Sequence, residues 1–202
     1  EILLQQLGLT GKGRVGRCNS LSSPCVKYTA AKIVGSPALT ESRQIKMFRS
    51  GCMRANYLAQ DRADIKNACK EVARFMQTPT VIAMDMLKKL GRYLAGKPRV
   101  ARRFYQQSWT GIVVVQVDSD FAGCPVTRKS TTGTATFLGR HNLEFTSNLQ
   151  ATEALSSGEA EFYASVKGTS SGLGTVSLYA DMGLTVSLEL ETDATAGKGI
   201  VQ

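Results

Sequence analysis

Histidine is almost absent from this chain. His141 is the single one among 202 residues, and the five cysteines (Cys18, Cys25, Cys52, Cys69, Cys124) show no C-x-x-C spacing. Zinc sites need clustered Cys and His, so a structural or catalytic zinc is not expected. An odd, scattered cysteine set also argues against a disulfide framework. The cysteines are therefore expected to be reduced and the protein intracellular, cytoplasmic or nuclear. No run of about 18 apolar residues exists to span a membrane. The opening stretch EILLQQLGL lacks the basic start and cleavage site of a secretory signal. It also lacks an initiator Met, so a fragment of a longer, non-secreted chain is expected.

Acidic residues are scarce in one half only. The first 108 residues hold 20 Lys and Arg against 6 Asp and Glu, and the remainder holds 5 against 10. A basic half joined to an acidic half suits a part that grips a polyanion, attached to a part that uses carboxylates. The plainer alternative is that the basic side chains only solubilise helices.

Residues 1–9 read as the end of a helix, with Ile2, Leu3, Leu4 and Leu7 apolar. Residues 10–40 have a loop composition, with a possible short strand near Cys25–Tyr28. Three amphipathic helices are expected next. The first covers 41–59 after Thr40, with Ile45, Phe48, Cys52 and Leu58 inward. The second covers 62–77 after Asp61, with Ile65, Ala68, Cys69, Val72, Phe75 and Met76 inward. The third covers 80–95, with Met84, Leu87, Leu90 and Leu94 inward, and Gly96 and Pro98 stop it. Lys66, Lys70 and Arg74, then Lys88, Lys89 and Arg92, repeat at helical spacing. They form a basic stripe suited to a nucleic-acid backbone, or a merely solvated face. Three parts are expected in all: a tail and linker over 1–40, a helical segment over 41–98, and an α/β domain over 99–202.

In the last part, residues 100–106 read as a short strand or a connection, and GIVVVQV (111–117) is a strong β-branched strand. Asp118 and Asp120 follow it, on one side by strand alternation. TGTATFLG (132–139) and NLEFTS (142–147) read as two more strands, turning at Arg140–His141. A helix starts at 152 or 157 and ends at 181, with Leu155, Phe162, Val166, Leu173 and Val176 as its apolar stripe. VSLELET (186–192) alternates cleanly and ends at Asp193, and residues 193–200 suit the start of another helix. Short turns make the first three strands antiparallel. A strand returning after a long helix lies parallel to the first. Asp118 and Asp193 then sit at the same ends of possibly neighbouring strands, with Glu159 and Glu161 near the helix start. Those two glutamates stand about 200° apart around the helix, and periodicity does not choose between them. Carboxylates converging from different elements suit a hard cation such as Mg²⁺. A pair of such ions about 4 Å apart supports phosphodiester hydrolysis. G-C-P-V-T-R-K-S (123–130) is a false phosphate loop, because Arg128 stands where the second glycine must be.

Four ordered blocks, V-D-S-D-F-A-G, T-R-K-S-T-T-G, L-S-S-G-E-A-E-F-Y-A and T-D-A-T-A, resemble the ribonuclease H region of copia-type LTR retrotransposon Pol polyproteins. F-R-S-G-C-M-R-A-N-Y-L-A-Q-D-R-A-D-I and R-Y-L-A-G-K resemble the segment that follows the reverse transcriptase palm. The resemblance covers nearly the whole chain. It implies a ribonuclease H-like mixed sheet with flanking helices, preceded by a small basic helical segment. It also implies cleavage of the RNA strand of an RNA/DNA hybrid with Mg²⁺ or Mn²⁺, alongside the rest of the polyprotein and its reverse transcriptase. By position it implies Asp118, Glu161 and Asp193 as catalytic metal ligands, with Asp120 a further candidate. Arg128 and Lys129 are implied as contacts to the hybrid backbone. Phe121, Ala194, Ala63, Arg54 and Asn56 depart from the family pattern. No Y-x-D-D polymerase motif is present, and the sequence stops before the last strand and helix expected of this fold. The alternatives are an inactive nucleic-acid-binding remnant of the same fold, and integrase- or transposase-type chemistry.

Overall fold

The computed structural model describes residues 2–9 and 19–193. The chain divides into two compact units, Glu1–Ala101 and Arg102–Gln202.

The first unit is helical: α1 (Ile2–Gln6), α2 (Ala30–Val34), α3 (Ser42–Leu58), α4 (Ala63–Ala73) and α5 (Val81–Gly96). Apolar residues three and four apart give α3–α5 one buried face each. Phe48, Ile65, Leu87 and Leu90 are fully buried there, and Leu3 and Leu7 of the first stretch enter the same core. Helix α4 ends four residues earlier than its apolar pattern suggests. The chain tightens into i→i+3 bonds from Phe75 N to Val72 O and from Met76 N to Ala73 O, which keep both side chains against the core. Arg49 of α3 donates to the carbonyls of Met76 and Gln77 and closes that end. Thr40 and Asp61 are not the caps. Glu41 and Arg62 hold those positions without a side-chain bond, whereas Thr80 Oγ1 accepts from Ala83 N. Leu58 is mostly outside the core; Ala55 and Ala59 take the inward positions. Cys25–Tyr28 forms no strand; α2 follows it, and Ala38 makes a single antiparallel bridge to Thr80.

One polar contact in this unit gives a pH prediction. The Arg62 guanidinium, 2.9 and 2.8 Å from Asp64, holds that carboxyl below its ordinary range, helped by the Tyr93 hydroxyl at 2.8 Å. A carboxyl lowered by folding adds stability above its unfolded pKa of about 3.9 and loses it as pH falls through the lowered value. The gap in urea midpoint between the parent and Asp64→Asn is expected to be full at pH 6 and to shrink below about pH 4.

The second unit is a four-stranded mixed sheet crossed by one long helix. Its elements are β1 (Ile112–Asp120), β2 (Thr131–Leu138), β3 (His141–Leu149), α6 (Ser157–Asp181) and β4 (Ser187–Thr192), in sheet order β3-β2-β1-β4. The first three strands pair antiparallel and β4 pairs parallel to β1. This is the mixed sheet with flanking helix expected of a ribonuclease H-like fold. Strand β1 runs three residues further than its apolar run, so Asp118 and Asp120 lie in the strand. Residues 100–106 form no strand. The hairpin turn falls at Gly139–Arg140, with Gly139 at φ +58°, and His141 already belongs to β3.

The buried face of α6 differs from its apolar stripe. Leu155, Val166 and Leu173 are more than half exposed, while Ala160, Ala164, Ser165, Gly168 and Gly172 face the sheet. Close approach explains the choice. A β-carbon at Gly168 would stand 2.2 Å from Val117 Cγ1, and one at Gly172 would stand 2.5 Å from Leu188 Cδ1. Only small residues let the helix lie this near β1 and β4. Val113, Val115, Val117, Leu138, Ala164 and Val186 form the core between them. The expected helix start after Asp193, and Ala194 with it, lie outside the described residues. Among the described residues no helix is long and apolar enough to cross a membrane.

Candidate carboxylate site

Strand β1 has two unlike faces. Val113, Val115 and Val117 are buried toward α6, while Gln116, Asp118 and Asp120 are exposed on the other side. The parallel register sets Val114 beside Glu189, Gln116 beside Glu191 and Val117 beside Thr192. Gln116 Nε2 donates to Glu191 Oε2 at 2.9 Å, which confirms that these side chains share a face. The next residues along the chain are Asp118 and, just past the end of β4, Asp193; both are exposed. Neither acid takes part in an ion pair among the described residues.

Asp120 behaves differently. Its carboxylate occupies the space a side chain at Gly123 would need, so it folds over the turn that follows β1. That turn is closed by Gly123 N to Asp120 O, and by Ser130 Oγ accepting from Ala122 N. Ser130, the serine of the R-K-S block, is fully buried and structural. Lys129 spends its ammonium on the Ala151 carbonyl, tying this turn to the approach to α6. Arg128 is exposed, with a left-handed backbone at φ +53°.

At the start of α6 the two glutamates have separate duties. Ser156 Oγ accepts from Glu159 N, and Glu159 accepts from Leu155 N and from the Tyr163 hydroxyl, both at 2.8 Å. The Leu155 N–H, then Tyr163, hold the Glu159 carboxyl below its ordinary range. This is a capping arrangement, and it commits Glu159 to the helix. The Glu161 carboxylate accepts the Ser157 hydroxyl at 3.2 Å. It lies in the first turns of α6, the helix that packs on the valine face of β1. Among the described residues, no group of three or more His, Cys, Asp or Glu side chains is close enough to hold a metal ion. The donor set suits a hard cation in chemistry, because every candidate ligand is a carboxylate. In geometry, the parallel register carries the chain at Asp118 and at Asp193 to the same end of two neighbouring strands.

The basic stripes of the first unit are partly spent. Glu71 pairs with Lys70 at 3.0 Å and with Arg74 at 2.9 Å. Lys66 also has a partner. Asp85 and the Tyr28 hydroxyl hold Lys89, and Arg92 donates to the Asn19 carbonyl. Lys88 is exposed. These cations stabilise their own helices as well as offering charge.

A set of contacts that sequence periodicity does not reveal lies in residues 102–111. They have no regular structure, yet side chains pin them to the β2–β3 hairpin. Gln107 donates to the Leu138 carbonyl and accepts from Arg140 N, both at 2.8 Å. His141 Nε2 stands 2.6 Å from the Tyr105 carbonyl, and Arg102 donates to the backbone and side-chain oxygens of Asn142.

The chain is 33% identical over 147 residues to an uncharacterized mitochondrial protein of Arabidopsis thaliana, covering 73% of this chain and 59% of that one. It is 32% identical over 179 residues to the retrovirus-related Pol polyprotein from transposon RE2 of the same plant, covering 86% of this chain and 12% of the polyprotein. The corresponding polyprotein from transposon RE1 is 36% identical over 129 residues, 63% of this chain and 9% of its own length. The chain thus spans under two thirds of each of these relatives. No family model matches it, and no solved structure matches it significantly.

Proposed function

Because this chain is a relative of a stretch of retrotransposon Pol polyproteins, we propose that its second unit hydrolyses the RNA strand of RNA/DNA hybrids, working beside the rest of such a polyprotein. The observation that supports this reading is the parallel β1–β4 register: it pairs Val117 with Thr192, so exposed Asp118 and exposed Asp193 are the next residue on each chain segment. Two carboxylates at neighbouring strand ends repel one another and offer several oxygens to one hard cation. Asp118, Asp193 and Glu161 are the proposed ligands of Mg²⁺ or Mn²⁺. When bound, such ions activate water and stabilise a leaving oxygen. The chain's own part is to hold the acids on rigid strands and keep Glu161 out of the cap that Glu159 makes. Arg128, exposed at the turn after β1, is the proposed contact to the hybrid backbone within this unit.

The test is cleavage of a labelled hybrid with Mg²⁺ or Mn²⁺, with single-stranded RNA and EDTA as controls. Asp118→Asn and Asp193→Asn are each expected to lose at least about 100-fold in rate, since removing a metal ligand costs more than disturbing its supporting shell. Glu161→Gln should match them, while Glu159→Gln should keep cleavage and lower the melting temperature. Cleavage that survives Asp118→Asn and Asp193→Asn overturns the proposal. A second reading, hybrid binding without cleavage, draws on the separation of Glu161 from the other two acids. Salt-sensitive hybrid binding without any metal-dependent cleavage would select it.

A further inference from the structure

The pinned segment 102–111 carries a surface that the carboxylate reading does not use. Phe104 and Tyr105 are each 58% exposed, which leaves most of each ring open to solvent. Phe104 is held edge-on by His141, with ring centres 5.3 Å apart. The Arg102 guanidinium lies 6.0 Å from the Phe104 ring and 5.8 Å from the Phe145 ring, and Phe137 packs edge-on to Phe145. Three aromatic rings and a guanidinium thus form a continuous platform. Its rigidity comes from the hairpin. His141 donates from Nε2 to the Tyr105 carbonyl, so its Nδ1 is left to accept from Gln107 Nε2 at 3.3 Å. A β-carbon at Gly139 would collide with the Gln107 side chain.

The register says which way the platform faces. Phe145 is opposite Ala135, Ala135 is opposite Gln116, and Gly133 is opposite Asp118. The Phe145 end of the platform therefore shares its sheet face with Asp118. Two strand spacings, about 10 Å, separate β3 from β1. Arg103 and Arg140 are exposed nearby and make no ion pair among the described residues. Open rings flanked by uncompensated arginines match a polyanion with flat faces.

We propose that this platform binds an unpaired nucleic-acid strand, with a base stacked on Phe104 and phosphates met by Arg103 and Arg140. Stacking needs a base freed from its partner, so a single strand is preferred over a duplex. The proposal does not depend on hydrolysis, because the platform holds no carboxylate.

The experiment is fluorescence anisotropy of a dye-labelled oligothymidylate with the full chain in EDTA, over a range of salt. Phe104→Ala is expected to weaken binding about ten-fold, and Phe104→Trp to restore it. Gln107→Ala, which loosens the platform and keeps the rings, should fall between. Replacing Arg103 and Arg140 together with alanine should flatten the salt dependence by a slope of about 1.4. Melting curves check that each variant is folded; Phe104 is exposed enough for this to be expected. The proposal is overturned if Phe104→Ala binds as the parent does, or if a blunt duplex competes as well as the single strand. Equally, a dimer that Phe104→Ala dissolves while oligonucleotide binding stays intact would assign the surface to a second copy of the chain.

Discussion

Gly168→Leu is expected to cost the second unit about 3 kcal/mol or more, the upper range for forcing side-chain volume into a packed interior. Even the first added carbon would sit 2.2 Å from Val117 Cγ1, with Leu190 Cδ1 and Val115 Cγ1 within 3.4 Å. A glycine in a helix interior gives up about 1 kcal/mol to alanine, and that gain is too small to offset such a collision. Val117 precedes Asp118, so moving it would also displace the acid. The control is Gly174→Ala on the same helix, where nothing lies within 4 Å of the new carbon. That change is expected to stabilise by about 0.5–1 kcal/mol. Thermal melts of the two variants, read against the parent, should move in opposite directions. A Gly168→Leu chain that melts with the parent would mean that α6 does not lie on β1 as described.

The second large effect belongs to the helical unit. Leu87→Ala should lower stability by about 3–4 kcal/mol, through lost burial and the cavity left behind. Leu87 is fully buried, and its Cδ2 presses on Gly51 of α3, so the neighbouring backbone is poorly placed to fill the gap. Leu58→Ala, at a 42% exposed position, should cost far less. Urea titration separates the two: the Leu87→Ala midpoint falls while the slope is kept. Equal costs at the two positions would contradict the division into a Leu87 core and an outer Leu58.

How much of this was readable in advance depends on what marks each residue. Helices α3–α5 announce themselves because Phe48, Ile65 and Leu87 are large apolar residues at helical spacing. The four strands and the parallel return of β4 follow from alternation, short turns and one long crossover. The face of α6 escapes the same logic. Glycine and alanine have little hydropathy, so a helix that packs closely through Ala164, Gly168 and Gly172 leaves Leu155, Val166 and Leu173 outside, and of the expected stripe Val176 packs against the core. The pairing of Lys70 and Arg74 with Glu71 is visible in retrospect, since Glu71 lies within a turn of both. The 102–111 platform leaves no periodic trace. Its shape comes from Gln107, His141 and Asn142 reaching backbone and side chains some 31 to 40 residues away. The two-sidedness of β1 follows from alternation only once α6 is known to cover the valine face.

The crossover that joins β1 to β4 also sets an order of events. Gln116 and Glu191, partners across these strands, are 75 residues apart, whereas ten residues join β1 to β2 and a two-residue turn joins β2 to β3. Contacts between near neighbours form first, and a long loop must close before distant strands pair. The three-stranded meander therefore precedes the fourth strand, and until α6 folds back, one edge of β1 has unpaired amides and carbonyls. The β1–β4 pairing is among the last contacts of the unit to form. Whatever needs β4 beside β1 waits for that closing step, so its speed, and not only the stability of the finished sheet, sets how much of a newly made chain is complete.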